Sequence, residues 1–287
     1  GFGYSLPGQV LWDPLGTWAA RLPSSLASVV MMIALGDTVM RFPQGLDSHA
    51  RRTAVAVALA FALSPLVLVW SRAAVSDPLL CSTLGLSLLF SWRSYASTSS
   101  HSWWLSWVFL GLAVLTKGPV ALVLSGMVLV LFACLQWDLI RLFKRLRPLA
   151  GLIITAIISL PWYIFELLVE GKPFWDSFFG YHNFERFTSV VNSHSQPWWF
   201  FGTVLVVASL PFTPLLLLGL SDVLASIRQR LTSNKSTPEE SLKVFAAAWL
   251  LAVFILFTCA ATKLPSYWLP ATPAAAILIG YTGSGGT

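Results

Sequence analysis

The densest set of residues that could perform chemistry lies in a polar stretch between two long apolar runs. This stretch extends from Gly171 to Pro197 and is followed at once by four aromatic residues, Trp198 to Phe201. Its candidate residues are two histidines, a carboxylate and an arginine, which are His182, His194, Glu185 and Arg186. Histidine and carboxylate groups can exchange protons, a guanidinium group binds oxyanions, and aromatic belts mark membrane boundaries. The pattern predicts chemistry on a molecule held at a membrane surface.

The composition predicts the kind of fold that must position these residues. Hydrophobic residues make up 56% of the 287 residues and charged residues only 10%, whereas a soluble domain carries about 25% charge. We therefore expect an all-α, multi-pass membrane protein, with roughly eight or nine spans of about 20 residues each. The net charge of +6 does not indicate a nucleic-acid partner, because the Lys and Arg residues are dispersed among the apolar runs.

Nine apolar runs are predicted to be the spans of a single transmembrane domain that covers residues 1–287 and has short loops on its outer face. Those between residues 76 and 136 are short, so we expect them to tilt, to pair as hairpins or to be partly re-entrant. The three cysteines lie in apolar runs without the spacing of metal ligands, and they are predicted to be packing residues. The runs cover residues 22–40, 53–70, 76–92, 103–116, 118–136, 149–169, 198–220, 244–261 and 268–281.

The cations in alternate loops predict the orientation of the chain, because cytoplasmic loops retain Lys and Arg. One set of loops holds twelve of the 18 cations, and this side is predicted to be cytoplasmic: Arg41, Arg51, Arg52, Arg93, Arg141, Lys144, Arg145, Arg147, Arg228, Arg230, Lys235 and Lys243. The opposite set holds the other six, and this side is predicted to face outward: Arg21, Arg72, Lys117, Lys172, Arg186 and Lys263.

Five of the six outer cations lie in short segments rich in Pro, Ser, Thr or acidic residues. A cation at a membrane boundary costs insertion energy unless it is paired or hydrated. A convergent group of such cations therefore predicts an anionic ligand, of which phosphate is the natural example. The alternative is that each is a Lys or Arg at a helix end whose charged head reaches the headgroup region.

Five motifs, in order along the chain, resemble the aminoarabinose-transferase branch of the protein O-mannosyltransferase superfamily. They are AARLPSSLA at 19–27, SRAAVSDPLL at 71–80, GLAVLTKGPVA at 111–121, HNFERF at 182–187 with PWWF at 197–200, and TKLPSYWLP at 262–270. The resemblance implies a membrane-embedded glycosyltransferase of the class called GT-C. Such an enzyme takes a sugar from a polyprenyl-phosphate donor at the outer face of the plasma (inner) membrane. The resemblance also implies that the acceptor is a lipid or protein hydroxyl and that membrane lipids surround the protein. It implies no required cofactor.

The resemblance also implies roles for residues at matching positions. Arg186, Lys263 and Tyr267 are expected to bind the donor phosphate, and Lys117 is the next candidate for this role. The segment from Arg72 to Asp77 is expected to lie near the catalytic cavity. Inverting transfer needs a base for the acceptor proton and cations for the leaving phosphate.

The family's catalytic carboxylate follows a first transmembrane helix that has no counterpart here, so both are expected to be missing from these 287 residues. The fragment is therefore expected to be inactive if nothing replaces them, and Asp77 and Glu185 are the candidate bases that it contains.

Alternatives remain open for several of these residues. His182 and Glu185, three apart, could hold a metal or a substrate hydroxyl, with His194 nearby, although two or three ligands make a structural metal site weak. Arg72 and Asp77 could simply form an ion pair, and Tyr267 could be an interfacial anchor. The alternative functions are a non-catalytic polyprenyl-lipid-binding membrane protein and a secondary transporter.

Overall fold

The protein is a bundle of α-helices in the residues that the structure describes. The computed structural model describes residues 14–42, 47–97, 102–175, 196–230 and 237–285. The predicted all-α class is confirmed. The helices are α1 (Pro14–Arg41), α2 (Asp47–Ala62), α3 (Pro65–Trp70), α4 (Asp77–Ala96), α5 (Trp103–Lys117), α6 (Val120–Gln136), α7 (Leu139–Leu146), α8 (Pro148–Glu170), α9 (Lys172–Trp175), α10 (Phe200–Ala208), α11 (Thr213–Arg230), α12 (Pro238–Cys259) and α13 (Thr272–Gly283), with a 3₁₀ helix at Pro265–Ala271.

Three of the described helices are long and apolar enough to cross a membrane, and a fourth span is added if α10 and α11 are counted together. The three lie within α1, α8 and α12, while α5 and α6 are shorter apolar helices. Length and composition thus identify a membrane protein, but they do not confirm the predicted eight or nine spans.

Two predicted spans are broken, which is a correction to the sequence-based prediction. The run at 53–70 is interrupted at Ser64, because Pro65 begins α3. The run at 198–220 is interrupted between α10 and α11, which meet at an angle of 111°. The two breaks touch, since the Ser64 hydroxyl donates a hydrogen bond to the Ala208 carbonyl at 2.8 Å. Together with the 3₁₀ helix and α13 they line a small pocket.

The core lies around α12, α13 and α4, where large side chains are fully enclosed. Trp92, Trp249 and Trp268 are each almost completely buried. Helices α2 and α13 approach closely at Gly280, where an added Cβ would lie 2.6 Å from the backbone nitrogen of Val57. Cys81 is buried as predicted, but Cys134 and Cys259 are exposed, so the prediction that all three cysteines are packing residues is wrong for these two.

The ion pairs of the described residues lie at the two ends of the bundle. At one end Arg93 pairs with Asp37 at 2.9 Å, and Lys243 pairs with Glu239 at 2.9 Å. At the other end lie the start of α4, the end of α5 and the segment after α12. We call this second end the site end, because the sequence-predicted site residues that the structure describes all lie there.

Candidate functional site

The hairpin of α4 and α5 brings an acid and a base together at the site end. Asp77 is in the first turn of α4, where Pro78 suits the helix start, and Lys117 is the last residue of α5. An acid at a helix N-terminus and a cation at a C-terminus each interact favourably with the helix dipole. Gly118 ends α5 with φ 83° and ψ −158°, a backbone conformation that residues with a Cβ rarely adopt. The Lys-Gly-Pro sequence therefore fixes the point at which the chain turns.

Asp77 and Lys117 form a direct ion pair. Lys117 Nζ donates to Asp77 Oδ1 at 2.6 Å, and the two side chains are 27% and 15% exposed. The same Nζ lies 5.7 Å from the centre of the Tyr267 ring. The alternative in which Asp77 pairs with Arg72 is wrong, because the partner of Asp77 is Lys117, 40 residues away in sequence. Arg72 itself is exposed, and no carboxylate of the described residues lies within 4.0 Å of it.

Lys263 is a buried cation in the segment that leads into the 3₁₀ helix. Its side chain is only 9% exposed, and its Nζ donates to the Ala260 carbonyl at 2.9 Å. Among the described residues, no carboxylate is within 4.0 Å of this ammonium group. A buried charge is costly unless it is paired or hydrogen-bonded, so Lys263 has spare capacity for an anion.

Tyr267 lies four residues after Lys263 and is packed by aromatic neighbours. Its ring centre lies 5.0 Å from that of Phe257, and Phe201 stacks on Trp268 at 6.1 Å. The Tyr267 ring is thus packed against Phe257 and lies close to the Lys117 ammonium. Trp198 and Trp199, by contrast, are 77% and 54% exposed, as expected of residues at a membrane interface.

Two serines that the sequence did not single out hold the loop before α4 in place. Ser24 Oγ donates to the Val75 carbonyl at 2.9 Å, and Ser25 Oγ donates to the Ser71 carbonyl at 2.8 Å. Both belong to the first motif, AARLPSSLA, and both bonds reach the second, SRAAVSDPLL. The sequence did show that the two serines are adjacent and directly follow a Pro. It did not show which backbone carbonyl groups their hydroxyls would contact.

Four predicted site residues lie outside the described residues. They are His182, Glu185, Arg186 and His194, which fall in 176–195. The structure therefore does not test whether Arg186 joins Lys263 and Tyr267, or whether His182 and Glu185 share a ligand. Within the part of the chain that is described, no three His, Cys, Asp or Glu residues are grouped closely enough to hold a metal ion.

The arrangement of these side chains favours an anionic ligand whose oxygen atoms form hydrogen bonds. The ammonium of Lys117 is compensated by Asp77, whereas that of Lys263 is not, so these three side chains carry one excess positive charge. Tyr267 contributes a hydroxyl from the same short segment as Lys263. A phosphate group matches this chemistry, since it accepts several hydrogen bonds and carries negative charge.

These features define a helical membrane protein with a cationic, aromatic-lined site at one end of its bundle. Residues 13–165 match the family model described as dolichyl-phosphate-mannose-protein mannosyltransferase. Because this match covers more than half of the chain, the protein belongs to that family. The predicted resemblance is thereby confirmed.

Named relatives and solved structures agree with this assignment. A protein of Pseudomonas aeruginosa called undecaprenyl phosphate-alpha-4-amino-4-deoxy-L-arabinose arabinosyl transferase is 31% identical over 93% of this chain and 45% of its own length. A protein of the same name from Erwinia tasmaniensis is 30% identical over 96% of this chain and 42% of its own length. The chain thus spans less than half the length of these relatives.

The crystal structure of ArnT from Cupriavidus metallidurans bound to undecaprenyl phosphate has the same fold. It superimposes with a TM-score of 0.76 at 24% identity, and the match covers 92% of this chain and 46% of that one. Its apo structure gives a TM-score of 0.75.

Proposed function

We propose that the chain is part of a membrane-embedded glycosyltransferase that takes its sugar from a polyprenyl-phosphate donor. The observation that carries the proposal is the buried ammonium of Lys263, which has no carboxylate partner in the described residues and lies in the same segment as Tyr267. Relatives named for a sugar linked to undecaprenyl phosphate, and a solved structure of the same fold with undecaprenyl phosphate bound, support a donor of this chemistry.

In this proposal residues 1–287 form one transmembrane domain whose site end faces outward from the inner membrane. We propose eight or nine crossings for this domain, in which α2 with α3 and α10 with α11 each count as one broken span. The twelve-to-six division of the cations supports this orientation, because cytoplasmic loops retain Lys and Arg.

The proposed reaction moves the anomeric carbon of the sugar from a phosphate oxygen to an acceptor hydroxyl of a lipid or protein. The acceptor oxygen forms the new bond, its proton passes to a base, and the bond to the phosphate oxygen breaks with its electron pair. Negative charge therefore builds on the leaving phosphate, and we assign its stabilisation to Lys263 and Lys117. Arg186 would add a bidentate contact to two phosphate oxygens.

The two candidate bases differ in what surrounds them. Asp77 Oδ1 already accepts a hydrogen bond from Lys117, so we assign Asp77 the role of orienting Lys117. Glu185, outside the described residues, remains the candidate base of this chain. If Asp77 orients Lys117 and is not the base, Asp77→Asn should change the affinity for the donor but retain turnover at saturating donor. Lost turnover with unchanged donor affinity would instead make Asp77 the base.

The function is tested by assaying the full-length protein in nanodiscs. A panel of labelled polyprenyl-phosphate sugars and nucleotide sugars is supplied with lipid and protein acceptors, and the labelled acceptor is identified. We expect transfer from a polyprenyl-phosphate sugar. Transfer from nucleotide sugars alone would refute the proposal, and tight polyprenyl-phosphate binding without any transfer would favour the alternative of a non-catalytic lipid-binding protein.

A further inference from the structure

A short basic helix, α7, lies at the end of the bundle opposite the candidate site. At 100° per residue its three cations, Arg141, Lys144 and Arg145, share one face. Its apolar residues occupy the other face: Leu139, Ile140, Leu142, Phe143 and Leu146. A helix of this kind, with cations opposite aliphatic and aromatic residues, is typical of one that lies in the plane of the membrane interface.

Burial shows how α7 is attached. Leu142 and Leu146 are 4% and 3% exposed, so they fasten the helix to the bundle. Ile140 and Phe143 are 71% and 54% exposed, and Trp137 just before the helix is 84% exposed. In a membrane these side chains face the boundary between headgroups and acyl chains. The cations of α7 therefore lie at the level of the lipid phosphates.

An open apolar groove runs between α7 and α6. Its empty volume, part of which is open to the surroundings, is about 580 Å³. The wall contributed by α6 includes Gly126, and an added Cβ at this glycine would meet no atom within 4 Å. All the lining residues are apolar: Trp107, Gly126, Leu129, Val130, Ala133, Leu139, Leu142, Phe143, Leu146 and Pro148.

Arg147 places a positive charge at the end of this groove. It lies between Leu146 and Pro148, both of which line the groove, and its guanidinium carbon is 5.4 Å from the centre of the Trp103 ring. Arg141 has an acidic neighbour, Asp138, at 3.6 Å. For Arg147 and Lys144, by comparison, no carboxylate of the described ranges lies within 4.0 Å, and both side chains are exposed.

We propose that this groove binds one anionic glycerophospholipid of the cytoplasmic leaflet, with an acyl chain against α6 and its phosphate on Arg147. The cation distribution assigns this end of the bundle to the cytoplasm. The groove walls are wholly apolar, and the positive charge of Arg147 beside the groove end has no carboxylate partner within 4.0 Å in the described residues, so the complementary molecule has an apolar chain and an anionic head. The site does not involve the sugar chemistry of the opposite end.

Native mass spectrometry of the full-length protein in detergent tests the proposal. The protein is titrated with phosphatidylglycerol or with phosphatidylcholine of the same acyl chains. Each basic residue near an anionic surface contributes about 1 kcal/mol, so Arg147→Gln should weaken phosphatidylglycerol binding about fivefold. Arg147→Lys, which keeps the charge, should bind as the unmodified protein does. Gly126→Leu fills the groove and should weaken the binding of both lipids.

Two matched variants separate this site from general effects. Arg51→Gln removes an exposed cation of α2 at the same end, and Gly202→Leu adds a side chain at another glycine with open space around it. Neither should change lipid binding. The proposal is overturned if phosphatidylglycerol binds all variants equally, or if Arg147→Gln weakens the binding while Gly126→Leu does not. Displacement of the bound phospholipid by a neutral polyprenol would also overturn it, by showing that the groove takes an isoprenoid tail.

Discussion

Replacing Lys263 with Met should abolish much of the donor binding without destabilising the protein. The Lys263 side chain is 9% exposed, and its Nζ has one hydrogen bond, to the Ala260 carbonyl. Met has a similar unbranched length and carries no charge, so the substitution removes the cost of burying an unpaired ammonium group. A lost charge-assisted hydrogen bond to phosphate costs about 1.5–3 kcal/mol, which corresponds to roughly ten- to a hundredfold in affinity.

Lys243 is the matched control for this experiment. It is also a partly buried lysine, with 19% exposure, but it pairs with Glu239 at 2.9 Å at the opposite end of the bundle. Lys243→Met leaves a carboxylate unpaired, so it should lower the thermal midpoint and leave donor affinity unchanged. Affinity is measured by titrating polyprenyl phosphate into the protein in nanodiscs, and stability by thermal unfolding. The phosphate role of Lys263 would be refuted if Lys263→Met bound the donor as tightly as the unmodified protein does. It would also be refuted if Lys263→Met lost stability without losing donor affinity.

Three further predictions address the loop, the orientation and the packing. Arg186→Ala should weaken polyprenyl-phosphate binding more than Arg186→Lys, since lysine keeps the charge but loses the bidentate fork; equal binding by Arg186→Ala and the unmodified protein contradicts this. In a cysteine-free background, an impermeant thiol reagent added outside should label a cysteine placed at 193 and not one at 235, and the reverse result would invert the topology. Gly280→Ala should destabilise the protein by about 1–3 kcal/mol because its Cβ would collide with Val57, whereas Gly126→Ala, measured by the same thermal unfolding, should be neutral or slightly stabilising.

The sequence predicted the helical class and most helix positions because long apolar runs are a strong signal. It did not predict the breaks at Ser64 and between α10 and α11, although Pro65 and Pro211 were visible in those runs. A proline in a membrane helix can be tolerated when neighbouring groups satisfy the freed backbone. Here the Ser64 hydroxyl bonds to the Ala208 carbonyl, a contact between residues 144 positions apart that no local pattern reveals.

For the candidate site too, the sequence predicted which residues belong together but not which of them are in contact. The motifs named Asp77, Lys117, Lys263 and Tyr267, and the structure places all four at one end of the bundle. The partner of Asp77 was not predictable, because the choice between Arg72 and Lys117 depends on how α4 and α5 are rotated. Lipid and protein core are both apolar, so hydrophobic periodicity does not indicate which face of a membrane helix turns inward.

The most direct measurement of the central claim is a structure of the full-length protein with polyprenyl phosphate bound in nanodiscs. We expect the phosphate within hydrogen-bonding distance of the Lys263 ammonium and the Tyr267 hydroxyl, with Arg186 on the same group and the Asp77–Lys117 pair beside it. A phosphate bound away from these residues, with Lys263 still bonded only to the Ala260 carbonyl, would contradict the proposed donor site.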